Sequence, residues 1–143
     1  MTRAKRAERL AGVMGVVEAE LEELFEDDLH AKRIESLVGA TVGALTAGRL
    51  GVHAIGIGLA EARGLRQKHT IKQVDRLLSN AAVEVWDLFD TWVPYVLAER
   101  TEAVVALDWT DFDDDDQTTL ALHLVTTHGR ATPLLWRTVR KSG

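Results

Sequence analysis

Near residue 101 the hydrophobic period of this 143-residue chain changes from helical to strand-like, which predicts a block of helices followed by a block of strands. Before the change, Leu10, Val13, Met14, Val17, Leu21, Leu24 and Phe25 recur at spacings of three and four, predicting an amphipathic helix over residues 4–28. Ile34, Leu37, Val38, Val42 and Leu45 repeat the pattern over residues 29–50. Gly39, Ala40, Gly43, Ala44, Ala47 and Gly48 lie among them, small enough to let helices approach closely. Residues 53–62 are short, apolar and glycine-rich and predict a third helix, bounded by Gly64. The stripe Ile71, Val74, Leu77 and Leu78 predicts a fourth over residues 70–78, with Thr70 as its N-cap and Asn80 as its stop. A further helix is expected over residues 82–98, with Pro94 kinking or dividing it near Trp92.

After Thr101 the residues Ala103, Val104, Val105, Ala106 and Leu107 form a continuous apolar run, the pattern of a buried strand, ending at Asp108. Residues 118–127 and 132–139 predict two more strands, paired as a hairpin through Thr127, His128, Gly129 and Arg130. The expected fold class is therefore α+β, with a helical region over residues 1–100 and strands over residues 101–143. Three strands leave sheet faces uncovered and an edge unmanaged, so the expectation is that more of this domain lies downstream.

A hydrophobic share of 46% is enough for a packed core, and the formal net charge of −5 is the wrong sign for a chain whose whole surface grips nucleic acid. The charge is unevenly placed. Residues 18–28 and 108–116 are acidic, whereas Arg63, Arg66, Lys68, Lys72 and Arg76 stand against Glu61 and Asp75 over residues 61–80. A helix starting near Thr70 puts Lys72 and Arg76 on one face, with Lys68 and His69 at its start and Asn80 at its end. That face has the chemistry to meet DNA phosphates, Asn80 also a base edge, and it reads equally as a polar face in water.

Other functions lack their residues. Cysteine is absent, which removes disulfides, thiolate metal sites and thiol nucleophiles. His30, His53, His69, His123 and His128 are scattered, without the helical pairing of a zinc site. No phosphate loop or nucleophile elbow is present, and Asp111, Asp113, Asp114, Asp115 and Asp116 lack the glycine and glutamate spacing of a calcium loop. Lys5, Arg6 and Arg9 are followed by no apolar run of signal-peptide length, and the glycine-rich stretch over residues 36–60 is interrupted by Arg49 and His53. A cytoplasmic protein without a membrane partner is expected.

Asp108, placed where an apolar strand gives way to polar sequence, has two readings. It is a structural or capping carboxylate, or it is a rigidly held ligand for Mg²⁺ or Mn²⁺, since hard cations prefer carboxylate oxygens. Phosphoryl-transfer sites often use two such ions about 4 Å apart, and a single carboxylate cannot hold both.

Two stretches, KHTIKQVDRLLSN over residues 68–80 and VVALDWTDFD over residues 104–113 followed by LALHLVTTHGRATPLLW over residues 120–136, resemble bacterial insertion-sequence transposases of the DDE class. The resemblance covers residues 66–141, about half the chain. It implies a helical region that binds terminal inverted repeats, here through Lys68, His69, Lys72, Arg76 and Asn80. It further implies the first three strands of a ribonuclease-H-like α/β core, incomplete in this chain, with Asp108 in an Asp-x-Thr setting as first catalytic acid and metal ligand. The second Asp and the Glu match no residue here, so the complete enzyme would carry Mg²⁺ or Mn²⁺ and cleave and transfer DNA strands, while this chain alone is expected to be inactive. A second reading is a helical DNA-binding or regulatory module that mixes with itself or a full-length transposase without catalysis.

Overall fold

The computed structural model describes residues 2–142. The chain divides into two compact units, Met1–Val83 and Glu84–Gly143, and the fold class is α+β.

The first unit holds α1 (Arg3–Phe25), α2 (Ala31–Ala47), α3 (Val52–Arg63) and α4 (Gln67–Leu78). The Thr2 hydroxyl accepts the Lys5 amide at 3.4 Å to start α1, and His30 Nδ1 accepts the Lys32 amide at 3.3 Å to start α2. Gly48 and Gly64, at φ 62° and 66°, end α2 and α3 in the left-handed region that glycine enters without strain. Ile34, Val38, Val42, Leu59 and Val74 are buried where α2, α3 and α4 meet, and Phe25 and Leu29 are buried at the end of α1 and the link to α2. The small residues set the spacing, because a Cβ on Gly58 would lie 2.2 Å from the Gly43 carbonyl oxygen. Among the described residues no single helix is long and apolar enough to cross a membrane; α2 and α3 satisfy length and composition only as a pair bent by 93°.

α4 begins three residues earlier than its sequence pattern predicts, and Thr70 is not its N-cap. Gly64 ends α3 so abruptly that α4 starts at Gln67, which places Thr70 one turn in. There Thr70 is buried, and its hydroxyl donates across to the Gly56 carbonyl of α3 at 2.6 Å, with the Gln67 carbonyl at 3.0 Å. The helix stops at Leu78, and Asn80 Oδ1 accepts the Ala82 amide at 3.0 Å.

In the second unit the single helix expected over residues 82–98 is a 3-10 turn, Val85–Leu88, followed by α5, Phe89–Leu97. Pro94 lies inside α5, which ends three residues later at Leu97, with Ala98 as its C-cap. The sequence placed its division at residue 100, whereas the compact units divide between Val83 and Glu84. Phe89 and Trp92 join α5 to the strands: the Phe89 ring meets Trp136 edge to face at 4.9 Å, and Trp92 Nε1 donates to the Pro133 carbonyl at 3.2 Å.

β1 (Val105–Phe112), β2 (Gln117–Val125) and β3 (Ala131–Arg140) form an antiparallel sheet in the order β1-β2-β3. A 3-10 turn at Asp113–Asp115, with Asp116 at φ 52°, joins β1 to β2; Gly129 at φ 72° serves the β2–β3 turn. The β2–β3 register slips at Leu122/His123, where a bulge tucks Leu134 into the small core with Phe89 and Leu124. β1 overturns two expectations. It is exposed along its whole length, and Asp108 is its fourth residue, not its end. The apolar run imitates a buried strand, but β1 is a sheet edge, and the β-forming residues Trp109, Thr110 and Phe112 carry pairing on to Gln117.

Candidate nucleic-acid interface

α4 shows two chemically different sides. Thr70 and Val74 are buried against its neighbours, while Lys68, His69, Lys72 and Arg76 are exposed. Sequence spacing alone separates these sides, since residues four apart fall on one face of a helix. The fold adds a wall. Arg33 and Ser36 of α2 stand beside Lys68, His69, Lys72, Gln73, Arg76 and Leu77 of α4, and Asn80 follows at the end, around an open cleft of about 560 Å³.

All five residues expected to meet DNA therefore line one cleft: Lys68, His69, Lys72, Arg76 and Asn80. Among the described residues no carboxylate lines it, so four permanent cations face a common space within a chain of net charge −5. Asn80 is partly committed, because its side-chain oxygen already accepts the Ala82 amide, leaving its amide nitrogen to act as a donor. Arg33, Ser36 and Gln73 escaped the sequence reading. Arg33 lies 35 positions before Lys68, and no local pattern announces that α2 packs beside α4; its guanidinium is steadied by donation to the Ala82 carbonyl at 3.2 Å. Gln73 adjoins Lys72 on the same turn and was legible from helical spacing once the cleft side of α4 was known.

Asp108 belongs to the second unit. It pairs with Ala121 across the ladder and accepts the Thr110 hydroxyl at 3.4 Å, so the Asp-x-Thr pair meets along one strand face. Trp109 and Asp111 take the opposite face, where the indole Nε1 donates to the Asp111 carboxylate at 3.3 Å. Lys141 bridges Asp111, at 3.4 Å, and Asp113. The Asp111 carboxyl is held below its ordinary pKa, first by Thr118 opposite it in register and then by Trp109 and Lys141; Asp113 in turn raises the Lys141 ammonium. These exposed ion pairs contribute little to stability but fix the turn between β1 and β2.

Among the described residues no group of three or more His, Asp or Glu is arranged to hold a metal ion. Asp108 offers one exposed carboxylate, so the residues present do not make up a two-ion site, and the expected Mg²⁺ or Mn²⁺ concerns a complete enzyme. Comparison with known protein families, curated proteins and solved structures finds no match to this chain.

Proposed function

We propose that the chain is the front part of a cytoplasmic DDE-class transposase, with a first unit that holds terminal-repeat DNA and a second that forms the opening strands of a ribonuclease-H-like core. The observation that carries this reading is the cleft beside α4, where Lys68, His69, Lys72, Arg76 and Asn80 gather with Arg33 and, among the described residues, without a carboxylate. The second unit agrees with it in order: three antiparallel strands with Asp108 exposed on the first. The resemblance calls for a later strand bearing the second Asp. β1 offers an open edge, with Leu107 and Trp109 66% and 63% exposed beside Asp108. Asp108 is then the first catalytic acid of the complete enzyme, and the chain by itself binds DNA without cutting it.

The same open edge favours the second reading, in which the chain pairs with another copy or with a full-length transposase and regulates it without catalysis. The first reading requires DNA binding, whereas the second can act through pairing alone. Fluorescence anisotropy of a labelled duplex, titrated with the full chain over a series of salt concentrations, tests the first. Four phosphate contacts predict that log K falls against log salt with a slope of roughly −3.6. A chain that binds no duplex at low salt would sink the proposal.

A further inference from the structure

The cleft is part of a larger geometry. α3 and α4 are each 12 residues long, and Gly64, Leu65 and Arg66 alone connect them. Gly64 turns the chain at φ 66°, and the Leu65 amide donates back to the Ala60 carbonyl at 3.0 Å, closing the end of α3. The two helices cross in near backbone contact: a Cβ on Gly56 would lie 2.5 Å from Ile71 Cα, and the Thr70 hydroxyl bonds the Gly56 carbonyl beside it. Two short helices, a three-residue glycine turn and a close crossing are components of a helix-turn-helix. α2 packs on both, so α4 is held from behind and turns its basic side outward.

Resting on the DNA reading above, we infer that this unit seats α4 in the major groove of duplex DNA, where His69 and Gln73 read base edges while Lys68, Lys72, Arg76 and Arg33 hold phosphates. A groove about 12 Å wide admits one α-helix, and the helix that follows the turn is the one that enters it, contacting bases through its N-terminal half. His69 lies in that half and Gln73 follows one turn later, at the middle of α4, and both line the cleft that α4 shares with α2. Gln73 is half-buried, with its Nε2 at 3.6 Å from where a Cβ on Gly39 would stand, so α2 already restrains the side chain. A restrained glutamine loses little entropy on binding and can form the paired hydrogen bonds that recognise adenine. A single-stranded target fits less well, because such sites stack bases on aromatic rings and no Phe, Tyr or Trp lines this cleft among the described residues.

The test uses the full chain and a duplex library with a randomised centre, selected for binding and sequenced, with methyl green as major-groove competitor and netropsin as minor-groove competitor. The expected results are an enriched sequence and displacement by methyl green. Gln73→Met, which keeps the bulk against Gly39 but removes the amide, is expected to lose preference at one or two positions with an unchanged salt slope. Arg76→Ala is expected to weaken all sequences alike and to reduce the slope by about 1. Circular dichroism of each variant checks that the helices persist, and Gln73→Glu supplies a second probe of the same position. Duplex binding with no enriched sequence, displacement by netropsin in place of methyl green, or a preference unmoved in both Gln73 variants overturns the groove assignment and leaves DNA binding standing. Failure to bind any duplex overturns both.

Discussion

The Thr70 hydroxyl donates to the Gly56 carbonyl at 2.6 Å, from a side chain 1% exposed, at the point where α3 and α4 come closest. Removing the donor takes away one net hydrogen bond, about 1 kcal/mol, because the Gly56 carbonyl, inside α3, keeps its own helical amide partner. Thr70→Val, which preserves the shape, is therefore expected to lower stability by about 1 kcal/mol, and Thr70→Ser to recover part of it. Gly56→Ala is expected to cost at least as much, because its methyl group meets Ile71 backbone rather than a side chain that can swing away. Urea denaturation of the three variants checks the ranking; a Thr70→Val protein as stable as the parent would show that the bond holds nothing.

Ala98 ends α5 at φ 50° and ψ −132°, a backbone conformation that a Cβ disfavours. Ala98→Gly relieves that strain and is expected to raise stability by about 1 kcal/mol, although the glycine also loosens the unfolded chain. Thermal unfolding followed by tryptophan fluorescence reads the change. A lower midpoint in the variant would mean that the strain at Ala98 is smaller than the entropy that glycine adds.

The helices were legible because their apolar residues are spaced by three and four and Gly64 marks where one of them ends; the Gly48 end of α2 was read as helix interior. Gly64 gave one boundary correctly, yet the same residue hid the start of α4, since a local N-cap pattern cannot reveal that Thr70 bonds to another helix. The strand pairing could be read from the turn at Gly129, but not the exposure of β1, because an apolar run looks the same whether or not something covers it. Within the cleft, the residues on α4 followed from helical spacing. Arg33 did not, for its place depends on how α2 packs.

Asp111 titrates below its ordinary value because Thr118, Trp109 and Lys141 favour its charged form. A carboxylate depressed in the folded state adds stability above its unfolded pKa of about 3.9, and that contribution disappears as pH falls through the lower folded value. Thr118→Val removes the largest cause while keeping the shape of a β-branched side chain. Its expected effect is an upward move of the Asp111 midpoint toward the ordinary value, read by carboxyl NMR titration. An unmoved midpoint would leave Trp109 and Lys141 as the whole explanation.

The open edge of β1 carries Leu107 and Trp109 exposed on the same face, next to unpaired backbone groups. An edge of this kind pairs with other strands unless a charge blocks it. Leu107→Lys is expected to reduce concentration-dependent association of the chain without unfolding it, since the side chain leaves no core. Sedimentation velocity over a concentration series tests this. A parent protein that stays monomeric throughout would show that the edge is protected by its own acidic neighbours, Asp108 and Asp111.

Asp108 separates what this chain does from what a complete enzyme would do. It is exposed, and the Thr110 hydroxyl at 3.4 Å is a weak partner, so Asp108→Asn is expected to change stability by less than about 0.5 kcal/mol. It also lies outside the unit that bears the basic cleft, and DNA affinity is expected to stay the same. The discriminating assay adds Mn²⁺ and a nickable supercoiled plasmid. If Asp108 is one acid of an incomplete set, parent and variant alike leave the plasmid intact. Nicking by the parent that Asp108→Asn abolishes would mean that the chain assembles a working site from acids of its own, and the reading of Asp108 as an orphaned ligand would fall.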